Sequence, residues 1–303
     1  GSPERFTPRG GNGGRVDHPA ETAGGGITAR QALLKAESAL QHSAADNISH
    51  DVRALLAHLM EVSPLHLLAL DPLVPPKKLA AFNEGVARLA GGEPLQYILG
   101  VAWFMGFPFA VNQHVLIPRQ DTETVCQAAL DILKPGHRVL DLCTGSGALA
   151  VAIKKLRPDC RIEGADISPE ALAVARRNAE SNGVDVLFFQ GDFFAPVQGP
   201  YDLIVCNPPY IPTGDMEKLQ PQVKKEPALA LHGGAEGLDF YRRLLYEAPR
   251  HLSPQGYVVC ELGDNQAQAV RALAEENFDM IEIFDDLGHL PRALRGRLKE
   301  GKA

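Results

Sequence analysis

Short apolar runs that end on polar residues recur through the second half of the chain: "RVLDLC" at 138–143, "RIEGADI" at 161–167, "VLFFQGD" at 186–192, "YDLIVCN" at 201–207 and "YVVCEL" at 257–262. They alternate with stretches of helical period. Such alternation leaves few folds open, because parallel strands need crossover connections and a sheet buried on both faces needs helices on each side. The pattern predicts an α/β domain with a parallel sheet, whose ligands bind at the carboxyl ends of the strands. The polar residues at those ends become the candidates for chemistry.

The remaining sequence organises around that domain. At 303 residues the chain is long for a single core, and length alone suggests about two domains. Residues 1–26, "GSPERFTPRGGNGGRVDHPAETAGGG", are glycine-rich with little to bury and read as a disordered tail, its leading Gly1-Ser2 as a cloning scar. Over 27–92 the apolar residues fall at helical spacing (Leu33, Leu34, Ala36 and Leu40, then Val52, Leu55, Leu56 and Leu59), which predicts a small helical bundle. Ser49 is a candidate N-cap, Ser63-Pro64 a cap and first helical position, and Gly91-Gly92 a stop. His50, His58 and His66 recur at a constant interval, but Ser63-Pro64 breaks the helix between the last two, so no metal face is expected. Residues 93–120 form a linker with a short hairpin, and a helix starting near Asp121 opens the α/β domain of 121–303.

Composition narrows the function classes. No apolar run approaches the roughly 18–20 residues that cross a bilayer, and the start of the chain lacks the apolar core of a signal peptide, so a cytoplasmic location and no membrane partner are expected. The five cysteines (Cys126, Cys143, Cys160, Cys206, Cys260) form no CxxC pair and suggest no zinc site; they read as reduced and mostly buried. A formal net charge of −7 argues against wrapping long nucleic acid, although it leaves a local basic patch open.

The first strand runs into "DLCTGSGALAVAI". Glycines at 145 and 147 let the backbone turn sharply and approach a ligand that a Cβ would exclude. Gly145-x-Gly147-x-x-Ala150 also satisfies the loose dinucleotide fingerprint, so a nicotinamide site has to be weighed. The second strand ends at Asp166, whose carboxylate can accept both ribose hydroxyls of an adenosine. Asp141, just before the turn, would repel a pyrophosphate but suits the ammonium and sulfonium of S-adenosylmethionine. "GDFF" places Asp192 and Phe193 where an adenine would lie, one to accept from its amino group and one to pack on its ring. Strand-end capping is the bland alternative for each carboxylate; three in successive βα units weaken it.

The fourth strand delivers "NPPY" to the same edge. Pro208 restricts Asn207 to an extended conformation, and two successive prolines stiffen the loop. Such a loop can aim the Asn207 side-chain oxygen and the Pro208 carbonyl at one point, which suits an NH2 group with two hydrogens to donate. Tyr210 offers a flat face to a planar amide or base. An amide or exocyclic amino nitrogen is a poor nucleophile, and holding both N–H bonds orients its lone pair and favours positive charge on nitrogen.

At these residues the chain resembles the S-adenosylmethionine-dependent amino-methyltransferases with an [N/D]PP[Y/F/W] motif, and more closely the release-factor glutamine methyltransferases of the HemK/PrmC family. The likeness spans roughly 28–299 and includes "LIPRQDTE" at 116–123, "NPPYIP" and, most specific of all, "EPALALHGGAEGLDFYRRL" at 226–244. It implies a Rossmann-like class I methyltransferase with a seven-stranded sheet behind the helical domain. It further implies methylation of the glutamine amide nitrogen (N5) in the Gly-Gly-Gln loop of peptide chain release factors. By that likeness Asp141, Cys143, Thr144, Gly145, Ser146, Gly147, Asp166, Ile167, Asp192, Phe193 and Asn207 would bind S-adenosylmethionine. Asn207, Pro208, Pro209 and Tyr210 would hold the glutamine, with Arg119 and Glu123 near the entrance and the helical domain docking the release factor. Three positions depart from the family pattern: Cys143 replaces glycine, Gln120 replaces proline, and Phe193 stands where tryptophan is also found. "DDLGHLPRALRGRL" departs further, in the last hairpin. No stable nucleic-acid partner and a monomer are expected. A DNA or RNA amino-methyltransferase, a non-catalytic binding module and a nicotinamide oxidoreductase stand as alternatives, in that order.

Overall fold

The computed structural model describes residues 25–303, so the tail assigned to 1–26 falls outside the described residues except for its last two. The chain opens with helices α1 (Ala29–Leu40), α2 (Ile48–Met60), α3 (Pro64–Leu70), α4 (Pro76–Ala90) and α5 (Leu95–Leu99). Their apolar stripes meet in one core around Leu40, Leu56, Leu67, Phe82 and Leu89. Thr28 and Gln31 form a reciprocal capping box at the start of α1. Ser63 caps α3 by accepting from the His66 amide, with Pro64 in the first turn, and Gly91 and Gly92 end α4. At α2 the cap is Asn47, in the left-handed region at φ 42°, rather than Ser49. Ser49 lies inside the first turn and donates to Glu37. Asparagine tolerates that conformation better than most residues, which decides the boundary. His66 sits on α3, past the cap that separates it from His50 and His58 on α2.

Strands β1 (Val101–Phe104) and β2 (Phe107–Ala110) pair as a hairpin. Next come α6 (Thr122–Leu130), β3 (Arg138–Leu142), α7 (Ala148–Leu156), β4 (Arg161–Asp166), α8 (Pro169–Ser181), β5 (Leu187–Gln190) and β6 (Tyr201–Cys206). The chain closes with α9 (Pro221–Lys224), α10 (Ala228–Leu231), α11 (Asp239–Glu247), β7 (Leu252–Glu261), α12 (Ala267–Ala274), β8 (Phe278–Asp285) and β9 (Pro291–Leu298). Among the described residues no single helix is long and apolar enough to cross a membrane.

The large sheet has seven strands in the order β5-β4-β3-β6-β7-β9-β8. Strands β3 to β7 run parallel, as the alternation predicts. Beyond those five strands, β9 is antiparallel to both β7 and β8, so β9 alone reverses direction and the sheet is mixed. A connection as short as 286–290 can only join antiparallel neighbours. Two apolar cores cover the two faces of the sheet, and central residues such as Leu140, Leu142, Ile204 and Val205 are fully enclosed.

Strand order reverses between β3 and β6. From β3 the chain steps outward to β4 and β5, then returns across to β6 on the other side. Such a switch point opens a crevice at the carboxyl edge. Asp141, at the end of β3, and Asn207, just past β6, border it.

Candidate active site

A cavity of about 250 Å³ occupies this crevice. Asp141, Cys143, Thr144, Gly145, Ser146, Asp166, Ile167, Asp192, Phe193, Asn207 and Pro209 all contribute to its wall. Gly147, Pro208, Tyr210, Arg119 and Glu123, also expected at the site, are not among the residues that line it.

Asp141 is 1% exposed. Its Oδ2 accepts from Thr144 Oγ1 at 2.7 Å and from the Ala150 amide at 3.2 Å, whereas its buried Oδ1 has no partner. Burial pushes the carboxyl up to about 7 against the pull of those two bonds, and the charge of Asp166 adds to the rise. The turn that follows is left-handed at Cys143, Gly145 and Gly147, with φ of 56°, 55° and 80°. A cysteine in that region costs about 1–2 kcal/mol, which makes Cys143 an unusual occupant of its position. The two glycines serve different ends. Nothing lies within 4 Å of a Cβ built at Gly145, where the cavity opens, while one at Gly147 would come 3.1 Å from Ala175 Cβ and push α7 off α8.

At the end of β4, Asp166 accepts from the Gly145 amide and the Ser168 amide, both at 2.9 Å. It thereby ties the glycine turn to the next strand. Burial raises its carboxyl above the ordinary range, and the backbone donors oppose the rise. Ile167 is exposed at the rim. Past β5, Asp192 pairs with Arg243 at 3.1 Å, and the same guanidinium lies 4.7 Å from the centre of the Phe193 ring.

The Asn207–Tyr210 loop is held from behind. Tyr210 Oη donates to Glu261 Oε2 at 3.0 Å, and the Tyr210 carbonyl accepts from Gln266 Nε2 at 2.9 Å. The Ile211 amide donates to the Leu231 carbonyl at 2.8 Å, and the Gly233 amide donates back to the Ile211 carbonyl at 2.9 Å. A Cβ at Gly233 would come 2.7 Å from Tyr210 Cα, and one at Gly237 would collide with the Tyr210 carbonyl. The glycines of "HGGAEG" are therefore needed for backbone to lie on backbone. The stretch that carries the strongest family likeness is the buttress of the NPPY loop.

Arg119 pairs with the buried Glu226, whose other oxygen accepts from the Ile117 amide at 2.8 Å. The pair fastens the wall segment Val115–Pro118 to the wall segment Pro227–Ala230. Glu123, at the start of α6, accepts from the Met105 amide at 2.8 Å and so holds the turn of the β1–β2 hairpin. Four residues of this arrangement, Thr122, Glu226, Glu261 and Gln266, are not singled out by the motifs of the sequence. Glu261 was findable, since it ends its strand as Asp141 and Asp166 end theirs.

A reversing, mostly parallel sheet with a glycine turn after its first strand and a polar loop after its fourth defines the methyltransferase class. Residues 123–224 match the family model of the methyltransferase small domain, and residues 31–100 match that of the PrmC N-terminal domain. Among solved structures, a methyltransferase from Pyrococcus furiosus is similar in fold, with a TM-score of 0.51 at 21% identity over 64% of this chain and 90% of that one. Curated relatives are closer in sequence. The release factor glutamine methyltransferase of Geobacter sulfurreducens is 45% identical over 75% of this chain and 81% of its own. That of Rhodospirillum rubrum is 40% identical over 92% of this chain and 88% of its own. The chain belongs to the release factor glutamine methyltransferase family.

Proposed function

We propose that this chain transfers a methyl group from S-adenosylmethionine to the side-chain amide nitrogen (N5) of the glutamine in the Gly-Gly-Gln motif of peptide chain release factors. The observation that carries this reading is the meeting, at one switch point, of a carboxylate-lined cavity with a buttressed NPPY loop. The residues present fit the cofactor: Asp141 has a buried acceptor atom to offer a cation, Asp166 suits a pair of vicinal hydroxyls, and Phe193 suits a planar ring.

When bound, S-adenosylmethionine supplies an electrophilic methyl group on a sulfonium. The chain's own part is to bind and orient the acceptor. Asn207 and the Pro208 carbonyl each accept one N–H of the glutamine amide, which turns the nitrogen lone pair outward and stabilises the charge that grows on nitrogen; as the N–C bond formed, the S–C bond would break to leave a neutral thioether, and one amide proton would be released to solvent. Pro209 and Tyr210 border the amide, and the stiffness of the loop keeps both acceptors aimed. The helical bundle expected over 27–92, whose core also takes in Leu95, Ile98 and Leu99 of α5, helps to dock the release factor, and the enzyme acts as a cytoplasmic monomer.

A nucleic-acid amino group would offer the same pair of hydrogens, but the net charge of −7 disfavours a long polyanion. Incubating the protein with labelled S-adenosylmethionine and either a release factor or DNA separates the two. The label is expected on the release factor; label on adenine or cytosine alone would overturn the reading.

A further inference from the structure

We propose that Glu261 is a positioning residue for the methyl acceptor, holding the Tyr210 ring through its hydroxyl and so fixing the wall against which the glutamine amide lies. The inference rests on the substrate reading above and assigns a part to a residue outside the NPPY motif.

Glu261 is the last residue of β7 and is 2% exposed. A carboxylate buried this deeply is strongly destabilising unless its oxygens are satisfied, and cores usually solve the problem with an apolar residue. Here both oxygens are taken by hydroxyls: Oε2 by Tyr210 at 3.0 Å, and Oε1 by Thr122, which itself lines the cavity. Arg292, the nearby cation, has its own carboxylate partners in Asp286, Asp264 and Asp121. The Glu261 backbone is fixed too, since its carbonyl accepts from Tyr241 Oη at 2.7 Å and that oxygen accepts from the Gly263 amide at 3.2 Å. With Gln266 on the Tyr210 carbonyl, the tyrosine is tied at both ends. Phenylalanine would fill the same volume without the tether. For an acceptor that must be aligned rather than activated by a base, misplacement by about 1 Å costs about a hundredfold in rate, so such a tether acts on kcat.

The test is a double-mutant cycle on methylation of an intact release factor, combined with 19F NMR of enzyme labelled with 3-fluorotyrosine. Glu261→Gln and Tyr210→Phe are each expected to lower kcat about tenfold or more, with KM for the release factor and Kd for S-adenosylmethionine held within about twofold. The double variant is expected to be no slower than Tyr210→Phe alone. The Tyr210 resonance, assigned by its loss in Tyr210→Phe, is expected to shift in Glu261→Gln. Multiplied losses in the double variant, an unchanged kcat in Glu261→Gln, or an unmoved resonance would overturn the inference. Should Glu261→Gln fail to fold, Tyr210→Phe carries the test, and an unchanged kcat there overturns it. A wild-type enzyme that leaves the glutamine unmethylated would overturn the substrate reading and the inference together, whereas an active wild type with multiplied losses overturns the inference alone.

Discussion

The carboxyl edge of the sheet carries two regions built on opposite terms. On the cofactor side, at the end of β3, polar capacity is left unspent: Asp141 keeps a buried oxygen without a partner, and burial holds its carboxyl up at about 7. On the acceptor side, past β6, the loop itself is tied from behind: Tyr210 is bonded at hydroxyl and carbonyl, and Ile211 at amide and carbonyl, although Gln266 Oε1 in the same buttress is buried without a partner. The first region is complementary to a charge that a ligand must bring. The second has its geometry set in advance. Binding strength and alignment are thus assigned to different strands of one sheet, and single substitutions should separate them.

The largest effect is expected on the acceptor side. Asn207→Ala removes one of the two acceptors and should lower kcat by about 10²–10³, with Kd for S-adenosylmethionine changed far less, as single-turnover kinetics and calorimetry would read. A large loss of cofactor affinity with kcat intact would break the division.

Asp141→Asn should do the reverse, raising Kd for the cofactor about tenfold to a hundredfold by removing a charged acceptor. The pH dependence has a definite sign. A folded-state pKa of about 7, above the ordinary 3.8, means that ionisation opposes folding, so the ligand-free protein loses stability as pH rises between those values and loses no more above about 7. Asp141→Asn should therefore raise Tm at pH 8, by the equivalent of about 0.5–2 kcal/mol, while weakening the cofactor. Affinity of the wild type for the cationic cofactor should climb through pH 7 and flatten in the variant, which calorimetry at several pH values would show.

Gly233→Ala probes the buttress. Its Cβ would press on Tyr210 Cα at 2.7 Å, so a loss of about 1–3 kcal/mol in stability is expected, together with a fall in kcat at near-normal cofactor affinity. Thermal melts and steady-state kinetics on one preparation would measure both. The smallest effect belongs to Arg243→Ala. The residue covers Phe193 and pairs with an exposed Asp192, contacts worth about 0.5–1 kcal/mol, so cofactor Kd should rise no more than about fivefold.

These regions were unequally legible in the sequence. Asp141, Asp166 and Asn207 each interrupt an apolar run, and in a parallel sheet the end of a run is where ligands lie, so their placement at one edge followed from pattern alone. Glu261 carries the same signature, but its strand looked like core and its hydroxyl partners lie far away in sequence. Arg119 and Glu226 are separated by 107 positions, and nothing local marks them as a pair. Likeness puts Glu123 near the entrance, and its carboxylate also holds the hairpin turn by accepting a backbone amide, a contact that no local pattern marks. The helical period at 33–40 fixed α1 well. The boundary of α2 turned on one left-handed Asn47, and the short α5 has too few residues to show a period. The mixed character of the sheet rests on the β8–β9 connection, where the sequence departs most from the family pattern.

The most direct test of the account is to locate the transferred methyl. A release factor treated with the enzyme and S-adenosylmethionine should yield, by tandem mass spectrometry, a Gly-Gly-Gln peptide with one added methyl on the glutamine side-chain nitrogen, formed about 10²–10³ times more slowly when Asn207→Ala replaces the wild type. A methyl on any other residue, or equal labelling by the two enzymes, would contradict it.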